Sequence, residues 1–507
     1  MCARFAERGG ICLRGASTAR ADIMRKTRGH SLLGSGLAVA WLVFGWPAGH
    51  GVPSAAPLNL GNELQLFVDR TLIDQMENVQ LRLHSPARGE VVFKFDAPWE
   101  GPMSGYVTVM EDAGLYRLYY RGGGETSQEV TAMAVSKDGL NWARPNLGLH
   151  EFDGSTQNNI IFRGRRKSYW ESHNFTPFKD RNPSALPAQQ YKAVALGRHV
   201  RADGEDVKAL VALVSPDGMR WERLQEAAII TDGSFDSQNV AFWDTRRREY
   251  VCYLRDGRTN AAGQRVRSVK RASSRDFIHC TQPVWLDFGD APLEHFYVNA
   301  ISPYFRAPGY YLGFPMRFVP YRRTVGAEAR PVDGVSDAVF IASRDGLRFE
   351  RLFLEAFIRP GPDPLNWGQA HGNNTPAWGL LPTSPTEMSL YWAEHYGGVP
   401  QLRRGTLRLD GFVSVQAPHG GGRLTTKPFL FRGRRLALNY ATSAVGSVRV
   451  EVLRADGSAL PGLSRDDCLE LYGDEIERLV AWKRGNELTP WADQPVRLRF
   501  HLQDAEL

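Results

Sequence analysis

Short apolar runs separated by turn residues recur along the chain, and this pattern predicts β-strands. Runs at 130–135, 209–214 and 338–342 each lead into a box that starts Ser-x-Asp and in most copies continues with Gly. Asp-Gly suits a tight hairpin turn because it tolerates positive φ, and the aromatic residue three positions on restarts a strand. We therefore expect the box aspartates to cap turns between strands. The boxes begin at Ser136, Ser215, Ser274 and Ser343, and Asp410-Gly411 is a worn fifth copy.

The spacing of the boxes predicts a five-bladed β-propeller. Successive box serines lie 79, 59 and 69 residues apart. A hairpin turn every ~70 residues is typical of propeller blades, each a four-stranded sheet. A second repeat has the same period, because a polar triplet ending in Asn precedes an apolar strand at Asn174, Asn239, Asn299 and Asn374. The blades are predicted at 99–150, 160–226, 227–288, 294–353 and 356–411.

Two folded units are expected, since 507 residues exceed one ordinary core. The propeller is predicted over 64–411, where the strand-like residues 64–73 close the ring against the last blade. After residue 412 the box is gone, and five or six short strand runs predict a C-terminal β-sandwich over 412–507. The chain is thus predicted to be all-β.

Residues 1–56 have the pattern of an export leader. A basic stretch at 25–28 precedes an apolar run at 32–46, and small residues near 49–56 suit cleavage. Because Met24 begins this pattern, residues 1–23 are interpreted as an upstream start-site over-call. The predicted location is secreted or periplasmic. The alternative is a membrane-anchored N-terminus, although the apolar run is short for a span.

Charge and cysteine content exclude several classes of protein. The pI is about 9.1, but residues 1–50 hold seven basic and two acidic residues, which leaves 55 and 53 in the remainder. The chain beyond the leader is therefore nearly neutral and lacks the excess of basic residues that is typical of nucleic-acid-binding proteins. Three cysteines beyond the leader form neither a disulfide framework nor a metal-ligand spacing. No nucleotide, dinucleotide or zinc-protease motif is present. We therefore predict no cofactor and no metal, with an ion held by axial histidines as the alternative.

The polar triplets point to a sugar ligand. In a propeller the innermost strands start near the axis, so the triplets would surround one pocket. Amide, imidazole and hydroxyl groups suit a polyhydroxylated ligand, whose hydroxyls both donate and accept hydrogen bonds. The predicted substrate-binding residues are Trp99, Glu100, His173, Asn174, Gln238, Asn239, His295, Asn299, Asn373, Asn374 and His395.

Carboxyl groups at matching positions suggest glycosidic bond cleavage, which needs one protonated and one ionised carboxyl. Glu171 and Asp236 both lie three residues before the triplet Asn of adjacent blades. Glu171 is assigned as proton donor, because Glu reaches further and has the higher reference pKa, and Asp236 as base or nucleophile. Glu394 is the reserve acid. The alternatives are that Asp236 accepts backbone N–H bonds at a strand start and that Glu171 is an exposed loop acid.

Two further aspartates are expected to be solvated rather than functional. Asp180 and Asp244 fall in the turn after the first strand of a predicted blade, on the side facing away from the axis.

Several longer motifs along the chain carry a family resemblance. They include LFVDRTLID, SHNFTPFKDRNP, FDSQNVAFWD, NAISPYFRAP, TEMSLYWAEHYG and GDEIERLVAWK. On these motifs the chain resembles the five-bladed propeller glycosidases, the superfamily of glycoside hydrolase families 32, 43 and 68, and more closely the exported bacterial proteins labelled glycosyl hydrolase family 32-like. The resemblance spans 64–507 and implies a propeller and a sugar substrate. The superfamily uses Asp, Asp and Glu in blades 1, 2 and 3, whereas blade 1 here has no such Asp and blade 3 offers Asp236, so catalytic residues are not inherited.

The leading interpretation is an exported glycoside hydrolase acting on a polysaccharide or oligosaccharide, with carbohydrate as its partner and no nucleic acid or membrane beyond an uncleaved leader. The alternative is a non-catalytic lectin-like or scaffold propeller, which predicts pocket acids far apart or paired with arginine. A third is a lyase or phosphorylase. A phosphorylase would need an Arg/Lys cluster at the pocket, and the triplets contain none.

Overall fold

Almost all regular structure in the chain is β, which confirms the predicted all-β class. The computed structural model describes residues 56–123, 129–164, 170–260, 262–323, 334–368 and 372–507. The predicted leader, apart from Ala56, lies outside the described residues. Within them the only α-helix is α1 (Trp170–His173), and short 3-10 turns occur at Pro187–Gln189, Pro364–Asn366 and Thr489–Trp491. No helix in this part of the chain is long and apolar enough to cross a membrane.

The first four strands pair only with strands much later in the chain. Three of them, β1 to β3, join the last sheet, and β4 joins the sheet that precedes it. The first strands of the described chain therefore belong to the same sheets as its last strands. These strands are β1 (Leu58–Gly61), β2 (Ile73–Glu77), β3 (Gln80–Leu83) and β4 (Ala87–Lys94).

Three four-stranded antiparallel sheets follow, and in each the strands pair in sequence order. The box lies just after the third strand of each sheet, as the pattern predicted. The first sheet holds β5 (Gly105–Asp112), β6 (Leu115–Gly122), β7 (Val130–Ser136) and β8 (Ile160–Phe162). The second holds β9 (Thr176–Lys179), β10 (Tyr191–Val200), β11 (Asp206–Ser215) and β12 (Glu222–Arg223). The third holds β13 (Val240–Asp244), β14 (Glu249–Thr259), β15 (Arg265–Ser274) and β16 (Val284–Trp285).

The predicted fourth blade consists of two three-stranded sheets instead of one four-stranded sheet. Its strands are β17 (His295–Phe296), β18 (Ser302–Tyr304), β19 (Ala307–Gly313), β20 (Met316–Val319), β21 (Val335–Ala338) and β22 (Ile341–Ser343). β17, β20 and β21 pair with one another, and so do β18, β19 and β22. Pro315 lies between β19 and β20, and because proline has no N–H it cannot continue the ladder.

A fifth sheet combines late strands with an early one. β4 pairs with β26, so Leu402 lies opposite Phe93. A strand from before the first sheet thus belongs to the fifth sheet, whereas residues 64–73 had been predicted to close the ring against the last blade. Its own strands are β23 (Thr375–Pro376), β24 (Leu381–Pro382), β25 (Glu387–Glu394) and β26 (Gln401–Arg408).

The remaining strands form one nine-stranded sheet with β1, β2 and β3. Among the short strand runs expected after residue 412 are those at 436–441 and 447–453, and the structure joins them, from residue 437 onward, into a single long strand, β30. The strands are β27 (Val413–Ala417), β28 (Gly422–Thr426), β29 (Phe429–Phe431), β30 (Ala437–Arg454), β31 (Asp474–Leu479) and β32 (Val496–Glu506). A second hydrophobic core, with Val448, Val450 and Trp482 at its centre, packs on this sheet.

The strands that open successive sheets contact one another. β5 contacts β9, β9 contacts β13, and β23 contacts β5. Trp378, just after β23, joins two sheets: its N–H donates to Val107 O at 2.8 Å and its indole Nε1 donates to Ile301 O at 2.9 Å. The segments that lead into these strands therefore lie close together, which is where the polar triplets are.

Asp180 and Asp244 are not solvated, which corrects the expectation for both. Each carboxylate is buried and accepts a hydrogen bond from a tyrosine of the next sheet. Tyr250 Oη donates to Asp180 at 2.7 Å, and Tyr311 Oη donates to Asp244. Asp180 directly follows β9 and Asp244 ends β13, while Tyr250 and Tyr311 lie in β14 and β19, strands of the neighbouring sheets. The contact therefore joins adjacent sheets.

The box aspartates cap turns, as predicted. Asp138 Oδ1 accepts the backbone N–H groups of Leu140 and Asn141, both at 2.8 Å. Asp217 repeats this pattern at the next box. These backbone hydrogen bonds lower the pKa of Asp138, first among them the bond from Asn141. The box is therefore a structural element of the repeat.

Candidate active site

A cavity of about 410 Å³ opens between the β10–β11 hairpin and the segment that leads into β13. Its wall contains Asp236, one of the predicted catalytic residues. The wall is strongly charged, since five of its nine residues carry a charge. The lining residues are Arg201, Glu205, Val207, Lys208, Thr231, Gly233, Ser234, Asp236 and Arg255.

Asp236 is the predicted acid that remains accessible, with 37% of its side chain exposed. The preceding residue, Phe235, has a φ of 52°, so the backbone turns sharply just before the carboxylate. The carboxylate oxygens lie 3.3 Å from His173 Nε2 and 3.5 Å from Lys208 Nζ. The hydrogen bond with His173, and then the positive charges of His173, Lys208 and Arg255, hold the pKa of Asp236 well below its ordinary value. It is therefore ionised at neutral pH.

His173 connects Asp236 to a second carboxylate. It is the last residue of α1, and its Nδ1 lies 2.9 Å from Glu129 Oε1. Burial lowers the pKa of His173, but its hydrogen bonds with Asp236 and Glu129 outweigh burial and raise that pKa above the ordinary value. The result is an imidazole held between two carboxylates. Sequence reasoning found His173 and Asp236 but missed Glu129, which lies just before β7 and outside any triplet.

A buried arginine and three tyrosines support this cluster. Arg121 lies over the ring of Tyr106 at 4.5 Å, and its Nη2 donates to Tyr396 Oη at 3.1 Å. Tyr106 Oη donates to Tyr297 Oη at 3.3 Å. Burial strongly raises the pKa of Tyr106, so the phenol stays protonated. None of these residues carried a local sequence signal, because they lie far apart along the chain.

The other predicted acids are paired with arginines. Glu171, 1% exposed, binds Arg223 Nε at 2.5 Å. Glu394 is fully buried and accepts hydrogen bonds from Arg88, Arg403 and Trp392. Neither carboxylate faces the cavity beside Asp236. Their catalytic roles stay predictions, and Glu171 is not the exposed loop acid of the alternative interpretation.

Glu100 and Trp99, which were predicted to contact the sugar, lie in the segment between β4 and β5. Glu100 is 8% exposed and accepts from Arg144 Nε at 2.9 Å and from the N–H of Ala97 at 2.9 Å. The half-buried Trp99 packs edge-on against Phe152, with ring centroids 6.2 Å apart. Both side chains have contacts typical of a structural role.

The predicted triplet amides hydrogen bond to the backbone of their own or a neighbouring sheet. Asn174 Nδ2 donates to Phe235 O at 2.6 Å, and Gln238 Nε2 donates to Val107 O at 3.0 Å. Asn374 does the same with Ser336 O at 2.8 Å. These geometries favour a role in fixing the strand starts over contact with a ligand. The triplet asparagines are all 2% exposed or less: Asn174, Asn239, Asn299, Asn373 and Asn374.

The two remaining predicted histidines lie apart from His173 in the hydrogen-bond network. His295 Nδ1 accepts the N–H of Arg267 at 3.3 Å, and burial lowers the pKa of this imidazole. His395 Nε2 lies 2.7 Å from Asp363. The described residues contain no group of three or more His, Cys, Asp or Glu side chains arranged to hold a metal ion.

The His173 cluster predicts a specific dependence of stability on pH. Because the pKa of His173 is raised on folding, its stabilising contribution is full below about pH 6.5 and is lost as pH rises through the folded pKa. The difference in unfolding free energy between wild type and His173→Gln should therefore shrink from pH 5.5 to pH 8.5. Urea unfolding at each pH measures it. A difference that stays constant or grows with pH would contradict the paired imidazolium.

Comparison with known proteins identifies no family. No family model matches the chain, and no curated protein matches it. Among solved structures the chain is similar to one described as a glycoside hydrolase (13% identity, 64% of this chain and 92% of that chain, TM-score 0.44). It is also similar to an N-acetylgalactosamine deacetylase from F. plautii in complex with blood group B trisaccharide (13%, 70% and 95%, 0.40) and to a glycosyl hydrolase from Bacteroides ovatus (14%, 65% and 96%, 0.39). At these scores the similarities carry no argument about the chemistry of this chain.

Proposed function

We propose that this chain is an exported glycoside hydrolase that cleaves a polysaccharide or oligosaccharide in the axial pocket of a five-bladed β-propeller, with the C-terminal strands forming a β-sandwich. The propeller is supported by five successive groups of antiparallel strands, by the contacts among their opening strands, and by β4, which completes the fifth group. The leader pattern supports export, which N-terminal sequencing of the secreted protein would test.

The accessible, ionised carboxylate of Asp236 is the observation that carries the proposal. It lies on a cavity wall, a hydrogen bond away from an imidazole that a second carboxylate holds from the other side. Glycoside hydrolysis needs an ionised carboxylate near the anomeric carbon and a proton for the leaving oxygen. Asp236 supplies the ionised carboxylate.

The proton is proposed to come from His173, whose imidazole Glu129 holds through Nδ1. The raised pKa of His173 keeps the imidazole protonated over a wider pH range than a free histidine. In the proposed reaction Asp236 takes a proton from the attacking water, whose oxygen bonds to the anomeric carbon as the glycosidic C–O bond breaks. His173 exchanges its Nε2–H contact with Asp236 for one with the departing oxygen and protonates that oxygen, while Glu129 keeps hold of Nδ1. Glu171 was the predicted donor, but it is buried, paired with Arg223, and not among the residues that line the cavity beside Asp236.

The test is a glycan-panel hydrolysis screen of the mature protein beside Asp236→Asn, His173→Gln and Glu171→Gln. We expect Asp236→Asn to lower the kcat of the folded protein by about 100-fold or more. Glu171→Gln is expected to lose stability, since Arg223 is left unpaired, while the folded fraction keeps its kcat. A wild-type activity that Asp236→Asn retains would show that the wrong carboxylate has been chosen.

A non-catalytic lectin-like propeller is the second candidate. The observation that favours it is the pairing of Glu171, Glu394 and Glu100 with arginines, which that interpretation predicts. It would be established if no glycan in the panel is cleaved but one raises the melting temperature of wild type.

A further inference from the structure

Two arginines beside Asp236 have no carboxylate partner among the residues that the structure describes. Arg255 is in β14 and Arg267 in β15, and Arg267 lies opposite Gly257 in the register of the two strands. Side chains two positions apart on a strand share a face, so Arg255 and Arg267 are diagonal neighbours on one face of the third sheet. Both guanidiniums lie over the ring of Tyr297, at 5.1 and 5.5 Å.

The charges around the cavity do not cancel. Arg201 pairs with Glu205 at 2.6 Å, and Lys208 pairs with Asp236 at 3.5 Å. Within the described ranges no ion pair joins Arg255 or Arg267 to an acid. The Nε of Arg255 is buried without a hydrogen-bond partner there. Among the described residues, the wall of the cavity therefore keeps one unpaired positive charge, that of Arg255, and Arg267 adds a second positive charge next to it.

Holding these two half-buried guanidinium groups next to each other is energetically unfavourable when no ligand is bound. Both arginines are half-buried, and burial together with the positive charge of Arg255 lowers the pKa of Arg267. Stacking on Tyr297 offsets part of that cost but does not supply an acceptor for the N–H groups at the guanidinium edges. An oxyanion matches both the charge and the fork of N–H donors that two arginines present.

We propose that Arg255 and Arg267 form an anion subsite beside the reacting bond, and that the substrate is an acidic glycan whose uronate or sulfate group binds there. This inference rests on the proposed glycosidase function, because it assigns the charge of the sugar that Asp236 acts on. The same oxyanion chemistry is also met by free inorganic phosphate, and the experiment separates these sources.

The experiment measures melting temperature and binding by calorimetry at constant ionic strength. The probes are D-glucuronate, D-galacturonate and D-glucose 6-sulfate, with D-glucose, D-galactose and inorganic phosphate for comparison. We expect at least one acidic sugar to bind about tenfold or more tightly than its neutral counterpart. That preference should disappear in Arg255→Gln and Arg267→Gln. Arg258→Gln is the matched control, because Arg258 is on the opposite face of β14 and lies over Trp285.

Three outcomes would overturn the inference that Arg255 and Arg267 bind an acidic sugar. Equal binding of acidic and neutral sugars would show that Arg255 and Arg267 do not form an anion subsite. A preference for acidic sugars that survives both substitutions would show the same. Stabilisation by phosphate alone would assign the arginines to a free oxyanion and favour a phosphorylase. If the glutamine variants do not fold, Arg255→Lys and Arg267→Lys keep the charge and should retain part of the preference.

Asp236→Asn separates this inference from the proposed function. It is expected to lose hydrolysis but to bind the acidic sugar at least as tightly as wild type, since a negative charge beside the arginines is removed. Hydrolysis of a neutral glycan without acidic-sugar binding would overturn the subsite and leave the hydrolase. Acidic-sugar binding without hydrolysis of any glycan would leave the subsite and overturn the hydrolase.

Discussion

Replacing Glu394 by glutamine is expected to lower the free energy of unfolding by about 3–5 kcal/mol, a large share of the roughly 5–15 kcal/mol typical of a domain. The carboxylate is fully buried and lies 2.9 Å from Arg403 Nε and 2.5 Å from Arg88 Nη2. Glutamine keeps the shape but leaves two cations without a counter-charge. Denaturant unfolding of the purified variant measures the loss.

Glu387→Gln is the matched control for Glu394→Gln. Glu387 is in the same strand and pairs with Arg404 at 2.6 Å, but 39% of its side chain is exposed. Exposed pairs contribute about 0–1 kcal/mol, so this variant should unfold nearly as wild type does. Equal small losses in both variants would show that Arg88 and Arg403 reach solvent or another partner when Glu394 is neutral.

The same pair of variants tests the reserve catalytic role predicted for Glu394. If the carboxylate is structural, the folded fraction of Glu394→Gln keeps the kcat of wild type. A fall in kcat without loss of stability would make Glu394 a catalytic acid despite its arginine partners. The stability and rate measurements together therefore decide between the two roles.

The sequence predicted those parts of the fold that local patterns determine. Strand alternation and the Asp-Gly turns depend on neighbouring residues, so the box turns were predicted correctly, and the strands of the second and third sheets fall within the predicted ranges 160–226 and 227–288. The first sheet departs from its predicted range of 99–150, because its last strand, β8, lies at the start of the range predicted for the second blade. The division of the fourth group of strands was missed, although Pro315 carried the signal. That proline becomes informative only once it is known that residue 315 lies where one strand would otherwise continue into the next, between β19 and β20.

The candidate site was only partly predictable, because its chemistry depends on distant partners. Alignment on the triplet Asn placed Asp236 and His173 near the axis. The partner of Glu171 is Arg223, 52 positions along the chain, and nothing local in either segment reveals that pairing. Glu129 was missed for the same reason. A carboxylate that a sequence pattern assigns to catalysis and one that holds an arginine look alike until the fold is known.

Asp180→Ala is expected to lower the free energy of unfolding by about 3–5 kcal/mol as well. Asp180 is buried, binds Lys192 Nζ at 2.6 Å and accepts from Tyr250 Oη at 2.7 Å. The substitution leaves a buried ammonium unpaired between two adjacent sheets. Asp206→Ala is the control, because Asp206 pairs with Arg198 on the surface and should contribute less than about 1 kcal/mol.

The double variant Asp180→Ala/Lys192→Met identifies the origin of that loss. If the cost of Asp180→Ala is the uncompensated charge of Lys192, removing the ammonium should restore most of the stability, so the double variant unfolds later than the single one. If the two losses add, the carboxylate stabilises the fold through Tyr250 and the backbone, independently of Lys192. In that case the tyrosine–aspartate contact, which Asp244 and Tyr311 repeat between the next two sheets, is what holds neighbouring sheets together.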